Sequence, residues 1–237
     1  MSIIRRPATE RGREKISWLD SRHTFSFANY YDPAHMGFRN LRVINDDRVS
    51  PDAGFATHGH RDMEIISYVV EGALAHEDTT GGKGVIRRGD VQAMSAGTGV
   101  RHSEYNASES DPVRFLQIWI LPSRAGLPAK YRQAHFSDES KLNQLRLLVA
   151  SEEAAAGNEG ALGINQDLRL YGSILEPGVP LSHPLAAGRG AWVQVVNGDI
   201  TVNGQKLESG DGAAIEDVAE LKIEAAAKSE FLLFDLA

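Results

Sequence analysis

The sequence predicts an all-β fold made of two β-barrels, one in each half of the chain, with short helices. Short runs of β-branched and apolar residues recur along the chain, and turns rich in glycine separate them. Many short strands at this spacing are typical of sandwiches and barrels. The halves also share a faint repeat: Val69-Val70-Glu71-Gly72 resembles Val195-Val196-Asn197-Gly198, and Arg88-Gly89-Asp90 resembles Ser209-Gly210-Asp211.

Composition excludes several classes of site and partner. The 237 residues carry a net charge of -7, which argues against nucleic acid or an anionic membrane as the main partner. The absence of cysteine excludes disulfides, cysteine-based zinc sites, iron–sulfur clusters and thiol nucleophiles. The N-terminus lacks the apolar core of a signal peptide, and no run approaches the ~18 apolar residues of a membrane span. We therefore expect a cytoplasmic protein.

The first half contains most of the predicted strands. The alternation of His23, Phe25 and Phe27 predicts one strand, and residues 40–45 predict the next, ended by a turn at Asn45-Asp46-Asp47. Two interpretations stay open for the aromatic stretch 18–38: packing in the core, or walls of a ligand cavity. Further strands are predicted at residues 65–70, 73–78, 85–87, 91–94 and 115–121.

The middle of the chain has a different character. Residues 137–148 predict a short helix, whereas residues 151–160 are small, acidic and typical of a loop. We place the domain boundary in this region, with an N-terminal domain at 1–130 and a C-terminal domain at 131–237. Strands are then predicted at residues 168–175, 191–196, 200–202, 220–224 and 230–236.

Two short motifs predict a metal site. His58-Gly59-His60 and His102-Ser103-Glu104 each place two metal-binding side chains two residues apart. In a strand such residues point to the same face, so three imidazoles and one carboxylate converge if both motifs lie in one barrel. Four buried ionisable groups without a partner are costly, which favours one mononuclear metal. In a five- or six-coordinate ion, four protein ligands leave one or two open coordination positions, as expected for chemistry or sensing.

The second half lacks the same ligands. When the repeat is used as an alignment, the slots equivalent to the four ligands hold Pro184, Ala186, Ile223 and Ala225. We therefore expect no equivalent metal in the C-terminal barrel. His183 falls one residue out of register, and we interpret it as a surface or packing histidine.

The motifs resemble those of the cupins. Gly54-(three)-His58-Gly59-His60-(three)-Glu64-(seven)-Gly72 is similar to the first cupin motif, and Gly99-(two)-His102-(three)-Asn106 is similar to the end of the second. The spacing departs slightly from the common pattern, and Gly97 stands where proline is usual. The longer segments WLDSRHTFSFANYYDP, MGFRNLRVINDD, HGHRDMEIISYVVEG and MSAGTGVRHSEYN closely resemble the pirin family, especially its bacterial quercetinase-type members.

This resemblance implies the fold and the ligand set. Pirins are two cupin jelly-roll barrels packed face to face, with one metal in the N-terminal barrel. Their ligands match His58, His60, His102 and Glu104. Glu64 occupies the position of the carboxylate ligand in ordinary cupins, and here either orients a ligand histidine or is a surface carboxylate. Iron is the metal named first by the resemblance, and manganese, cobalt, nickel, copper and zinc are alternatives.

The resemblance also implies an activity. Quercetinase-type pirins are quercetin 2,3-dioxygenases, in which a flavonol and O2 react and carbon monoxide leaves. Glu104 could accept the flavonol hydroxyl proton as the catalytic base. The alternatives are a metal- or redox-responsive regulator that binds a transcription or metabolic partner protein, and a stress protein with broad dioxygenase activity. We expect a monomer.

Overall fold

The computed structural model describes residues 2–237, and the chain forms two compact units. One unit contains Gly12–His135 and Ser151–Gln166, and we call it the N-terminal barrel. The other contains the described residues up to Arg11, together with Phe136–Ala150 and Asp167–Ala237, and we call it the C-terminal barrel. The boundary between residues 130 and 131 stays a prediction. The compact units differ from this division in two ways. The described residues up to Arg11 belong to the C-terminal barrel, and Ser151–Gln166 belongs to the N-terminal barrel.

Strands dominate both units, as the sequence predicts. Their bounds in the first part of the chain are β1 (Ser2–Arg6), β2 (Gly12–Lys15), β3 (Leu19–His23), β4 (Leu41–Val49), β5 (Gly54–His60), β6 (Glu64–Glu71), β7 (Ala73–Asp78), β8 (Lys83–Arg87), β9 (Asp90–Ser95), β10 (Val100–Asn106), β11 (Val113–Ile120) and β12 (Lys130–His135). The remaining strands are β13 (Arg146–Ser151), β14 (Leu162–Ile164), β15 (Leu168–Leu175), β16 (Leu181–Pro184), β17 (Gly190–Asn197), β18 (Ile200–Val202), β19 (Gln205–Leu207), β20 (Gly212–Glu216), β21 (Glu220–Ala225) and β22 (Ser229–Leu236). The helices are short: α1 (Asp138–Lys141), α2 (Glu152–Ala156) and a 3-10 turn at Ala8–Glu10.

The N-terminal barrel consists of two antiparallel sheets. The larger has the strand order β12-β9-β6-β11-β4-β3-β2, and the smaller has the order β5-β10-β7-β8. Two sheets closed around one interior are the double-sheet arrangement of a jelly roll. One end of the interior is apolar, with side chains such as Leu74, Ile86 and Phe115 packed in one buried cluster.

The middle of this interior is polar. One row of inward-facing residues crosses five neighbouring strands of the larger sheet, because each member lies directly opposite the next in the strand register. We call it the polar row; its members are His23, Asn45, Gln117, Ser67 and Gln92. All five are buried, so these polar groups face the barrel interior rather than solvent.

The C-terminal barrel repeats this arrangement with a different interior. Its larger sheet runs β1-β20-β17-β22-β15-β13, and its smaller sheet runs β16-β21-β18-β19. A continuous apolar cluster fills the space between them, with Val193, Ile215 and Phe231 among its fully buried members. The predicted all-β fold with two barrels is confirmed.

Several local predictions are wrong. The strand predicted through Phe27 ends at His23, and the turn predicted at Asn45-Asp46-Asp47 is the middle of β4. The strand continues because Asp46 accepts two hydrogen bonds from Arg114 on one face, while Asn45 and Asp47 face the interior. The helix predicted at 137–148 is limited to α1, and the predicted loop at 151–160 contains α2, which Ser151 caps.

Within residues 2–237, no helix has both the length and the apolar character needed to cross a membrane.

Candidate metal centre

The two histidine motifs lie on paired strands. In the antiparallel pair of β5 and β10, His102 is opposite His58 and Val100 is opposite His60. The register shifts between His102 and Glu104, which indicates a bulge in β5. Bulges often re-aim side chains next to functional sites. Gly54 permits this close pairing, because a Cβ there would overlap the carbonyl oxygen of Glu104.

The three histidines converge as the sequence predicts. Each of His58, His60 and His102 offers a ring nitrogen, and these atoms lie within 4.8 Å of one another. The Nε2 atoms of His58 and His102 are 3.0 Å apart. Each pair of these rings has centroids 4.5 to 4.8 Å apart. Three nitrogens at this separation can bind one ion.

Hydrogen bonds direct the free nitrogens of two histidines toward this point. His58 Nδ1–H donates to the carbonyl oxygen of Ala56 at 2.9 Å, which leaves Nε2 with its lone pair. His102 Nδ1 faces His76 Nδ1 at 3.4 Å, and the Gln92 amide donates to the same His76 nitrogen at 3.3 Å. His76 Nδ1 is therefore the acceptor, His102 Nδ1–H donates to it, and His102 Nε2 is free.

His76 is a candidate site residue that the sequence analysis did not name. Its Nε2–H donates to Asp78 Oδ2 at 2.8 Å, and its ring stacks on Tyr131 with centroids 4.8 Å apart. His76, His102 and Glu104 also form a second group whose ligand atoms lie within 4.8 Å of one another. The i,i+2 spacing of His76 and Asp78 on β7 repeats the pattern of the other motifs and could have been the signal.

Glu104 does not join the group of three histidines, with which the sequence predicts it to converge. It belongs to the group with His76 and His102 rather than to the group of three histidines. Ser67 Oγ donates to Glu104 Oε1 at 3.3 Å, and Gln117 Nε2 donates to Oε2 at 2.8 Å. Two members of the polar row thus orient this carboxylate. Each oxygen keeps a further lone pair for another partner.

Burial sets the protonation of the site. It lowers the pKa of His60 to about 4 and that of His102 to about 3, with the charge of His58 adding to both effects. Neutral imidazole is the form that binds metals. Burial, together with the charge of Asp47, raises the pKa of Glu104 to about 7, while the hydrogen bonds from Ser67 and Gln117 act in the opposite direction. Without a cation, this carboxyl binds a proton near neutral pH.

The donor set is compatible with a divalent metal ion. Three imidazoles converge, and a buried carboxyl with a raised pKa lies beside one of them. A nearby cation would favour the ionised form of this carboxyl. Imidazole and carboxylate ligands suit several first-row metals, so the donor types do not select one.

The cluster opens onto a cavity of about 500 Å³. His58, His60 and Glu104 are part of its wall. Much of the remaining wall is apolar or aromatic and comes from the N-terminal barrel, including Ile16, Trp18, Leu19, Phe27, Phe55 and Trp119. Edge-to-face contacts hold these rings in place: Trp18 packs on Phe55, and Phe27 packs on Trp119, which in turn contacts His60.

Both interpretations of the aromatic stretch hold in part. Trp18 and Phe27 line the cavity, whereas Phe25 is buried and does not line it. Tyr31 is largely exposed.

Both alternatives for Glu64 are wrong. The side chain is buried and accepts hydrogen bonds from Ser95 Oγ at 2.6 Å and Asn165 Nδ2 at 3.0 Å. It is therefore not a surface carboxylate, and neither donor is a histidine. Glu64 instead links β6 to β9 and to the segment that follows β14.

His183 in the C-terminal barrel is a packing residue. It is buried, its ring packs near Tyr171, and its Nε2 lies 3.0 Å from Asp235 Oδ2. Asp235 also pairs with Arg189. Within residues 2–237, both groups of potential metal-binding side chains lie in the N-terminal barrel.

Comparisons with known proteins agree with this architecture. Residues 5–120 match the Pirin family, and residues 148–236 match the quercetinase C-terminal cupin domain. A quercetin 2,3-dioxygenase of Escherichia coli strain K12 is 47% identical over 99% of this chain and 98% of its own length.

Solved structures give the same result. The crystal structure of YhhW from Escherichia coli superposes with a TM-score of 0.94 at 45% identity, covering 100% of this chain and 98% of that one. A structure of bacterial pirin YhhW in complex with nickel(II) has a TM-score of 0.93 at 46% identity, covering 99% of both chains. With a relative of this similarity over nearly its whole length, and with both barrels matched, this chain belongs to the pirin family.

Proposed function

We propose that this protein is a metal-dependent dioxygenase that cleaves the heterocycle of quercetin or a related flavonol. The observation that carries the proposal is the position of the histidine cluster and Glu104 in the wall of an aromatic-lined cavity. A cavity of this size accommodates a drug-sized aromatic molecule. The names of relatives such as the Escherichia coli quercetin 2,3-dioxygenase support the same substrate class.

The proposed metal ligands are His58, His60, His102 and Glu104. A divalent metal bound there would supply Lewis acidity that favours the deprotonated flavonol. We propose iron as the resident metal, with manganese, cobalt, nickel, copper or zinc as alternatives. The nickel(II) complex of a relative supports a divalent ion in general.

Glu104 is the proposed proton acceptor. In the metal-free protein its pKa is about 7, mainly because of burial. A bound cation would favour the ionised carboxylate, which is the form that accepts a proton. Ser67 and Gln117 fix the carboxylate through one hydrogen bond to each oxygen, so it needs little reorganisation to receive the proton. The proton taken from the flavonol 3-hydroxyl returns to the product when the ring opens. The overall reaction converts flavonol and O2 into a ring-opened ester and carbon monoxide.

The cavity walls position the substrate and exclude water. Trp18, Phe27 and Phe55 offer flat apolar surfaces that fit the rings of a flavonol. Holding a flat substrate beside the cluster converts an encounter between partners into a reaction within one complex. Excluding water also protects the carbanion-like flavonolate from side reactions.

Aerobic turnover tests the proposal directly. Protein stripped of metal and reloaded separately with each of the six metals is incubated with quercetin, while flavonol absorbance and carbon monoxide are recorded. We expect consumption with at least one metal and one carbon monoxide per flavonol consumed. Free metal at the same concentration and metal-stripped protein are the controls, because flavonols oxidise in solution. No consumption with any metal would contradict the proposal and favour the regulator alternative.

A further inference from the structure

The cavity contains polar atoms that the proposed metal site does not use. Four buried atoms of residues that line the cavity have no hydrogen-bond partner among the described residues. They are Oδ1 of Asn45, Oδ1 of Asp47, Oε1 of Gln117 and Nε1 of Trp119. A buried polar atom without a partner is unfavourable, and such atoms need an explanation where they gather in one place.

These atoms come from two neighbouring strands. Asn45 and Asp47 alternate on β4, and their side chains share a face about 7 Å apart along the strand. On β11, Gln117 lies directly opposite Asn45, while Phe115 lies opposite Asp47. The acceptors therefore form a patch on one wall rather than scattered defects. We call Asn45, Asp47 and Gln117 the acceptor patch.

The composition of the patch selects the chemistry of its occupant. Three of the four unpartnered atoms are oxygen acceptors, and one of these belongs to the carboxyl group of Asp47, a residue that is only 3% exposed. A ligand carboxylate or phosphate would meet a like charge there, whereas a hydroxyl group would donate to it. The surrounding wall is apolar and aromatic. The matching ligand is a neutral aromatic ring that carries hydroxyl groups.

The raised pKa of Asp47 is consistent with a carboxyl group that lacks a hydrogen-bond donor at one of its oxygens. The pKa of Asp47 is raised to about 7, mainly by burial; the hydrogen bond from Ser21 lowers it, and the charges of Asp46 and Glu14 raise it. A hydroxyl donor supplied by a ligand would stabilise the ionised carboxylate and lower this pKa.

We propose that Asn45, Asp47 and Gln117 form a hydroxyl-binding subsite for a phenolic ring of the substrate that lies away from the reacting heterocycle. The proposal rests on the proposed flavonol function and extends it to substrate selection. The protein then prefers polyhydroxylated flavonols, because a ring without hydroxyl groups leaves the buried acceptors unpaired. Gln117 joins the patch to the metal centre, since its amide nitrogen donates to Glu104 and the residue also lines the cavity.

A comparison of two flavonols tests this preference. Quercetin and 3-hydroxyflavone carry the same 3-hydroxy-4-keto group, but only quercetin has hydroxyl groups on its other rings. Their binding to the nickel(II)-loaded full chain is measured by calorimetry without oxygen, so that no turnover occurs. We expect quercetin to bind at least about tenfold more tightly, since sites built for a hydroxyl reject analogues that lack it.

Variants of the patch locate the origin of the preference. Asp47→Leu and Asn45→Leu remove the acceptors with little change in volume, and we expect each to reduce the preference for quercetin while 3-hydroxyflavone binds as before. Asp20→Ala is the matched control, because this β3 carboxylate pairs with Arg13 and is not part of the cavity wall. If Asp47→Leu does not fold, Asp47→Asn retains the shape and replaces the carboxylate by a weaker amide acceptor, so we expect a smaller reduction of the preference. Equal binding of the two flavonols to the unmodified protein, or a preference that survives in both variants, would overturn the proposal.

A second pair of ligands separates the subsite from the flavonol function. Catechol and 1,2-dimethoxybenzene are compared on metal-free full-length protein by ligand-observed NMR, with and without Asp47→Leu. If no flavonol binds but catechol binding depends on Asp47, the subsite stands and the proposed function fails. If flavonols bind without discrimination, the function stands and the subsite fails. If no ligand of either pair binds, both proposals fail.

Discussion

The two barrels have similar strand pairing, but the middle of the N-terminal barrel is polar and the interior of the C-terminal barrel is apolar. In the N-terminal barrel, four strands carry polar members of the row at matching register positions: Gln92, Ser67, Gln117 and Asn45. The internal repeat aligns Ser67 with Val193 and Gln92 with Ala213. In the C-terminal barrel, the corresponding neighbours across the strands are Ala213, Val193, Leu233 and Tyr171.

This difference shows how one fold serves two purposes. The apolar row lies within a continuous core, where close-packed side chains stabilise the barrel. The polar row instead holds Glu104 and His76 in position and borders a cavity. The side chains at a few inward-facing strand positions therefore decide whether the barrel interior is a packed core or borders a cavity, while the strand pairing stays similar. The following changes test this comparison.

His102→Ala should have the largest effect. This histidine contacts both His58 and His76, so its loss removes a proposed ligand and the link to the supporting residues. We expect metal affinity to fall by more than about 100-fold, beyond the usual effect of losing a supporting partner, and turnover to disappear. Metal content after reconstitution, measured by mass spectrometry, is the readout.

The matched control for this change is His183→Ala in the C-terminal barrel. It removes a buried partner of Asp235, so we expect a loss of about 1–3 kcal/mol in stability and an unchanged metal content. Full metal content in His102→Ala, or metal loss in His183→Ala, would contradict the contrast between the barrels.

Glu104→Gln should retain metal but lose activity. The three histidines remain, whereas the amide cannot accept the flavonol proton. We expect kcat to fall about 10²- to 10⁴-fold while metal content stays near that of the unmodified protein. Stopped-flow loss of flavonol absorbance measures the rate. Unchanged kcat would show that Glu104 is not the base.

His76→Phe should weaken metal binding, and it should cost about 1–3 kcal/mol in stability because Asp78 and Gln92 lose a buried partner. Phenylalanine can retain the stacking on Tyr131 but cannot accept the proton of His102 Nδ1. We expect affinity to fall about 10- to 100-fold, as is usual for partners that orient a ligand histidine. Competition with a chelator gives the dissociation constant. The exposed residue His135 provides the control, since His135→Phe leaves these contacts intact, and equal affinity in both variants would contradict the role of His76.

A smaller effect concerns the pH dependence of stability in metal-free protein. The folded pKa of Glu104 is about 7, above the unfolded value, so its contribution to stability is complete at low pH and is lost as pH rises through about 7. Glu104→Gln does not titrate. Its melting temperature relative to the unmodified protein should therefore be higher at pH 8 than at pH 5, by a few degrees for about 2 kcal/mol. A difference that is constant with pH would contradict the raised pKa.

The sequence was most informative where periodicity and spacing were strong. The strands at 168–175 and 200–202 have the predicted bounds, because their apolar patterns end at clear polar or glycine positions. The convergence of His58, His60 and His102 follows from i,i+2 spacing on two strands and needs only their pairing. The helix at 137–148 was predicted wrongly, since residues 146–148 pack in β13 and tertiary contacts override local helix propensity.

The sequence by itself determined the all-β class, the repeated barrel and the three converging histidines, because alternation along a strand is a local property. Only the tertiary structure decided that Asn45 and Asp47 lie inside a strand and face a cavity. Local signals of Asn and Asp indicate a turn, and they cannot report that neighbouring strands place Gln117 and Ser21 opposite these residues. Likewise, His76 became part of the site because β7 pairs with β10, a contact between residues distant in sequence.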